Sequence, residues 1–157
     1  MRSLFTHAWD LADDGAEHVM DWMNRAGLNT MCLAAVYHSG WFLHPHNSKH
    51  RAYMSESGAC YFHPRLGGYK TAGVRRMAPI VAQMAKRKDW LGEAGSRLKK
   101  HKLRLVAWVV GAHNTRLGLA FPRLTQQNVY GDRLPHGLCI ANEEVSAYLV
   151  NVCSDLA

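Results

Sequence analysis

Leu28-Asn29-Thr30-Met31-Cys32-Leu33-Ala34-Ala35-Val36-Tyr37 is a nearly continuous apolar run, not an alternating one. Strands buried on both faces read this way, and they belong to parallel sheets covered by helices. The run opens directly after Gly27 and stops at His38-Ser39-Gly40. Upstream, Val19, Met20, Trp22, Met23 and Ala26 recur at spacings of three and four, which predicts an amphipathic helix with these residues turned to the core. Asp13 and Asp14 suit its start, where carboxylates meet exposed backbone N–H groups. Gly27 suits its end, because glycine reaches a left-handed cap without steric cost. Before the helix, Leu4-Phe5-Thr6-His7-Ala8-Trp9 reads as a short strand that ends in a polar turn around Asp10.

Downstream, a long irregular stretch runs to about Gly73 and holds Pro45, Gly58, Pro64 and Gly67-Gly68. Residues 77–88 and 90–102 read as helical, and 103–110 is the clearest strand in the chain. A second long loop passes Pro122, Gly131, Asp132, Pro135 and Gly137. Asn142 is a good N-cap for a last helix from Glu143, with Val145, Tyr148, Leu149 and Val152 as its apolar stripe. The alternation of strands and helices predicts an α/β domain over 1–157 with parallel strands and right-handed crossovers. Loops after strands are long and rich in His, Asn, Trp and Tyr, whereas turns after helices are short. In α/β folds, ligands bind where such loops gather, at the carboxyl ends of the strands.

Composition bounds the function. Lys and Arg number 19 against 12 Asp and Glu, so the chain is basic and suits an acidic partner. The positive charge is concentrated at Arg75-Arg76, Lys86-Arg87-Lys88 and Lys99-Lys100-His101-Lys102, around a predicted helix. No aromatic residues are interleaved there as stacking platforms, so this reads as a solvated face and not as a nucleic-acid site. Cys32, Cys60, Cys139 and Cys153 form no CxxC pair, which removes support for zinc ribbons and thioredoxin-like chemistry. Cys32 and Cys153 read as reduced, packed thiols. The first residues lack the apolar stretch of a secretion signal, and no run reaches membrane-spanning length. A cytoplasmic protein without a membrane segment is expected.

Three strand ends carry equivalent polar residues: His7 and Asp10, then Tyr37 and His38, then His113 and Asn114. Neighbouring parallel strands lie about 4.8 Å apart, so these ends are placed to line one pocket. Histidine exchanges protons near neutral pH or donates hydrogen bonds to hydroxyls, and Asn and Asp supply further acceptors. Trp9, Trp41 and Phe42 offer apolar faces to a sugar ring. A competing reading gives His44 and His46 to a metal through their His-x-His spacing, which Pro45 makes irregular. No phosphate loop, dinucleotide fingerprint or nucleophile elbow is present, so no cofactor is expected. Glycoside hydrolysis uses two carboxyl groups, no Glu stands at a strand end, and Asp10 with Asp132 makes a poor pair, leaving the catalytic residues unassigned.

Thr6-His7-Ala8-Trp9-Asp10, with Gly27-Leu28-Asn29-Thr30 after the helix, resembles the first repeat of bacterial glycosidase-like barrels. Leu103-Arg104-Leu105-Val106-Ala107-Trp108 resembles their third strand. His136-Gly137-Leu138-Cys139-Ile140-Ala141-Asn142-Glu143-Glu144-Val145 resembles the segment before their third helix, with Ile140 and Ala141 where the family often carries Pro and Ser. The resemblance implies a partial (β/α) TIM-barrel of about three strand–helix units, the N-terminal portion of a longer glycoside hydrolase-like protein. It also implies a carbohydrate substrate and catalytic carboxylates from later strands. Such a segment would complete itself by self-association or with the missing C-terminal half of the barrel. A non-catalytic interaction protein using the basic helical surface is the alternative.

Overall fold

The computed structural model describes residues 1–157, apart from the side chain of Ala72. In chain order the elements are β1 (Ser3–Thr6), α1 (Ala8–Asp10), a π-helical turn (Leu11–Gly15), α2 (Ala16–Arg25), β2 (Thr30–Tyr37), β3 (Gly40–Leu43), β4 (Ala52–Ser55) and β5 (Ala59–Cys60). Then follow α3 (Ala72–Arg75), β6 (Ile80–Val81), α4 (Trp90–Lys100), β7 (Arg104–Val109), α5 (Thr115–Ala120), β8 (Thr125–Gln127), β9 (Arg133–Leu138) and α6 (Glu143–Leu156).

All eight residues of β2 are buried, as its unbroken apolar run demands. It pairs in parallel with β1 from Ser3↔Thr30 to Thr6↔Leu33, and in parallel with β7 from Thr30↔Arg104 onward. Leu4, Met31 and Leu105 share one register line, and Gly95 of α4 lies against the Leu105 side chain, so this face is the one the helices cover. Phe5, Cys32 and Val106 lie one residue further on and therefore face the other way. Phe5 is 61% exposed and Val106 42%. The helix ending at Arg25 closes as its sequence predicts: Gly27 takes φ +69°, and Leu28 N–H donates to Met23 O at 2.9 Å.

The expectation of a partial (β/α) TIM-barrel is overturned. The main sheet is mixed: the last residues of β2 pair antiparallel with β5 (Val36↔Cys60, Tyr37↔Ala59), and β5 takes β6 in parallel. Two antiparallel hairpins, β3–β4 and β8–β9, stand outside it. The physical reason lies in the length of β1. It spans four residues and turns into helix at Ala8, leaving the backbone of Ala35 to Tyr37 unpaired on that side. Buried backbone groups require partners. The segment after Gly58 supplies them, with Gly58 N–H donating to Tyr37 O and Tyr61 N–H to Ala35 O, both at 2.9 Å.

Several local expectations are corrected with it. The stretch after Gly40 is not loop throughout, because Gly40-Trp41-Phe42-Leu43 alternates in burial and forms one arm of a hairpin. The predicted helix over 77–88 is absent. Pro79 has no N–H and drives its predecessor towards extended backbone, and the segment forms β6 and a short 3₁₀ turn (Gln83–Ala85). Trp9 and Asp10 sit in helix instead of in a strand and turn. Trp22, expected in the core, is 47% exposed at the margin of the α2 stripe, whose buried members are Val19, Met20 and Met23. All four cysteines are free. Cys32 and Cys60 are buried, while Cys153 is exposed because it falls just off the Val145, Tyr148, Val152 stripe of α6. Among the described residues, no helix is long and apolar enough to cross a membrane.

Candidate functional site

The site forms where β1, β2 and β7 end. His7 stands at the turn from β1 into helix, and Asp10 reaches back over that turn. One carboxylate oxygen, Oδ2, accepts from the His7 backbone N–H at 2.8 Å and from the Thr6 hydroxyl at 3.0 Å. The same oxygen lies 3.6 Å from His7 Nδ1, and Oδ1 lies 3.8 Å from His44 Nδ1. Burial pushes the Asp10 carboxyl up, but the His7 ring, the His7 backbone N–H and the Thr6 hydroxyl together hold it below its ordinary value. One carboxylate therefore stands against the Nδ1 side of two histidines. Their Nε2 atoms are buried and have no hydrogen-bond partner among the described residues. Asp10 also lines a cavity of about 340 Å³ with Phe5, Thr6, His18 and Trp22.

Aromatic rings surround His7. Trp9 stacks on it with centroids 4.2 Å apart, Tyr37 meets it edge-on at 4.8 Å, and Phe42 and Trp108 follow at 5.1 and 5.5 Å. Phe5 contacts Trp108 edge-on at 4.9 Å. Trp9 and Tyr37 are buried, whereas Phe42 and Trp108 are half-buried and Phe5 is open. Burial raises the Tyr37 hydroxyl above its ordinary value, so it stays a neutral donor.

Beyond Tyr37 a row of imidazoles begins. His38 stacks on Tyr37 at 4.4 Å and on His113 at 4.5 Å, the two imidazoles lying 9° from parallel. His136 of β9 lies 5.5 Å from His113. His38 Nδ1 sits 2.8 Å from Ser39 O, an acceptor, so Nδ1 carries the proton and Nε2 is left for a ligand. Partial desolvation of its ring first, although His113 keeps an exposed face, and then the neighbouring His38 and His136, hold it below its ordinary value. The backbone fixes the row. His113 bridges Gly137, and Asn114 N–H donates to His136 O at 2.9 Å.

Of the residues singled out from sequence, His7, Asp10, Tyr37, His38 and His113 come together here. Asn114 does not face the site. It is fully buried, and its side-chain oxygen caps α5 by accepting from Leu117 N–H at 3.0 Å. Trp41 points away from Phe42 on the outer face of its hairpin, 72% exposed opposite Met54. His44 belongs to Asp10, while His46 is exposed. Among the described residues, no group of three or more His, Cys, Asp or Glu is placed to hold a metal. Asp132 does not pair with Asp10 across a pocket, since its side chain accepts from Asn128 Nδ2 at 3.0 Å within the β8–β9 turn.

Sequence reasoning missed Trp108, Phe5 and His136, and it offered His44 to a metal instead of to Asp10. Trp108 and Val106 alternate along β7, and that period of two was the available signal for a face shared with Phe5. His136 had no local signal, because its place is set by long-range pairing, Gly137 bridging to His113 and His136 O accepting from Asn114 N–H.

Part of the basic helical surface is answered by acids, while Lys86, Arg87, Lys99, Lys100 and Lys102 have no ion-pair partner among the described residues. Arg97 meets Glu17 at 2.5 Å and Glu93 at 2.9 Å, and Lys88 meets Glu93 at 2.9 Å. Comparison of the chain with protein-family models, curated proteins and solved structures gave no match.

Proposed function

We propose that the ends of β1, β2 and β7 form a carbohydrate-binding site. The observation that carries this reading is His7 held against Asp10 inside a ring of aromatic side chains, two of which, Phe42 and Trp108, keep part of their surface open. Sugars are recognised by apolar contact with their C–H faces and by hydrogen bonds to their hydroxyls. The ionised Asp10 is an acceptor for hydroxyls, and His38 Nε2 and His113 supply further polar contacts. Hydrolysis would need a second carboxyl group across the bond, so the catalytic carboxylates of a glycoside hydrolase would have to come from outside this chain. The same reading places the chain in the reducing cytoplasm, where its four cysteines stay as thiols.

The test is calorimetric titration with a panel of neutral and acidic oligosaccharides at low and high salt. Oligosaccharide binding should persist at high salt and weaken about tenfold or more in His38→Ala and His113→Ala, the loss of one good hydrogen bond each. Binding of oligonucleotides that falls steeply with salt, with no sugar bound, would favour the exposed lysines of α4 and sink this reading.

A further inference from the structure

We propose that the His38–His113–His136 row selects a sugar carrying a carboxylate, a hexuronate unit, by protonating around it. This inference rests on the carbohydrate reading and names the class of sugar. It is motivated by two observations together: these three imidazoles lie side by side, and none of them faces an acid, whereas His18, His46 and His63, which also face none among the described residues, make no such row. His7 and His44 face Asp10, His50 faces Asp13, and His101 faces Glu17 and Asp21. His38, His113 and His136 face no carboxylate among the described residues. The groups facing His113 are His38 from the end of β2 and His136 from β9, and both act on it as like charges. Behind His38 stands Tyr37, whose hydroxyl is neutral.

Three imidazoles in a row, two of them exposed, repel one another once protonated unless an anion arrives. A carboxylate would remove that repulsion and accept charge-assisted hydrogen bonds from the imidazolium N–H groups. His38 and His113 stack with centroids 4.5 Å apart and planes 9° from parallel, so the in-plane lone pairs of the two rings do not converge on one point as ligation of a single metal ion requires. The chain's net charge of +7 adds long-range attraction for an acidic polymer. By linkage, an anion that binds the protonated row must raise the His113 titration midpoint, and its own affinity must rise as pH falls.

The experiment compares short oligomers of galacturonate, glucuronate and mannuronate with their methyl esters, which keep the sugar skeleton and lose the charge. Affinity is measured at about pH 5.5 and 7.5, and the imidazole ring protons are followed by NMR titration. At least one uronate should bind tenfold or more tighter at the lower pH and raise the His113 midpoint. Its ester should change less than twofold between the two. His136→Gln, a substitution at an exposed position, should cut the pH dependence for the acid at least threefold. If an ester binds as tightly as its acid at both pH values, the selection for carboxylate is wrong and the carbohydrate reading stands. If no member of the panel binds in either form, while acetate alone raises the His113 midpoint, the row takes anions and the carbohydrate reading falls.

Discussion

Asp10 joins the start of the first helix to the chemistry of the site through one carboxylate. Its Oδ2 holds the Thr6 hydroxyl and the His7 backbone N–H, so the group that orients two histidines also caps the turn that presents them. Because its folded value lies below the ordinary 3.8, the stability it contributes is present above that pH and is lost as pH falls through the lower folded value. Asp10→Asn should cost about 1.5–3 kcal/mol at pH 7, the range for hydrogen bonds to a charged group. Urea unfolding from pH 7 down to about 2 checks it: the wild-type chain should lose this increment below 3.8, and the variant should show a flatter acid limb. Equal slopes for both proteins would mean that Asp10 is not tied to this turn. At this scale the sequence was readable where chemistry and position coincide. His7, His38 and His113 stand directly after apolar runs, and each reaches the site. Asn114 was equally visible but serves α5 as a cap, since Asn suits an N-cap and a ligand contact alike.

Among the elements, β2, α2, α4, β7 and α6 were legible because each carries a long uniform period or a strong cap. β5 and β6 were not. Two residues apiece offer no periodicity, and they become strands only because β1 stops short beside β2. The β8–β9 hairpin was hidden in the same way behind Pro135 and Gly137, in a stretch whose composition reads as loop. That hairpin presses on α5 at one glycine. A Cβ at Gly118 would stand 1.8 Å from Pro135 O and 3.1 Å from Thr125 Cγ2. The first neighbour is backbone and cannot swing aside. Gly118→Ala should therefore destabilise by about 3 kcal/mol, the upper end for overpacking, although alanine is the better helix former. Chemical denaturation measures this, and a loss under 1 kcal/mol would remove the close approach of α5 to β9. His136 depends on that approach, so the variant should also disturb the imidazole row.

For the molecule as a whole, the decisive asymmetry is between the two faces of the sheet. Helices α2 and α4 lie on the side of Leu105, while Phe5 and Val106 look out from the other. Among the described residues β7 has no second strand partner, and Arg104 is its single charge. An apolar face beside an open edge favours association. Light scattering over a range of concentrations should show self-association, and Val106→Lys should reduce it. A monomer at all concentrations would show that the face is content in water. The barrel expectation fails at this scale for a related reason. Parallel strands alone did not specify a barrel, because β5 and β6 extend the sheet with a reversed strand instead of a further parallel strand–helix unit. The central place of β2 also has a consequence in time. Setting Ser3 opposite Thr30 closes 27 residues, whereas setting Thr30 opposite Arg104 closes 74. The second closure costs about 0.9 kcal/mol more in chain entropy. One edge of β2 is thus within early reach of the growing contact network, while the other waits on almost half the chain, and the strand that lies in the middle of the sheet is a late junction in its assembly.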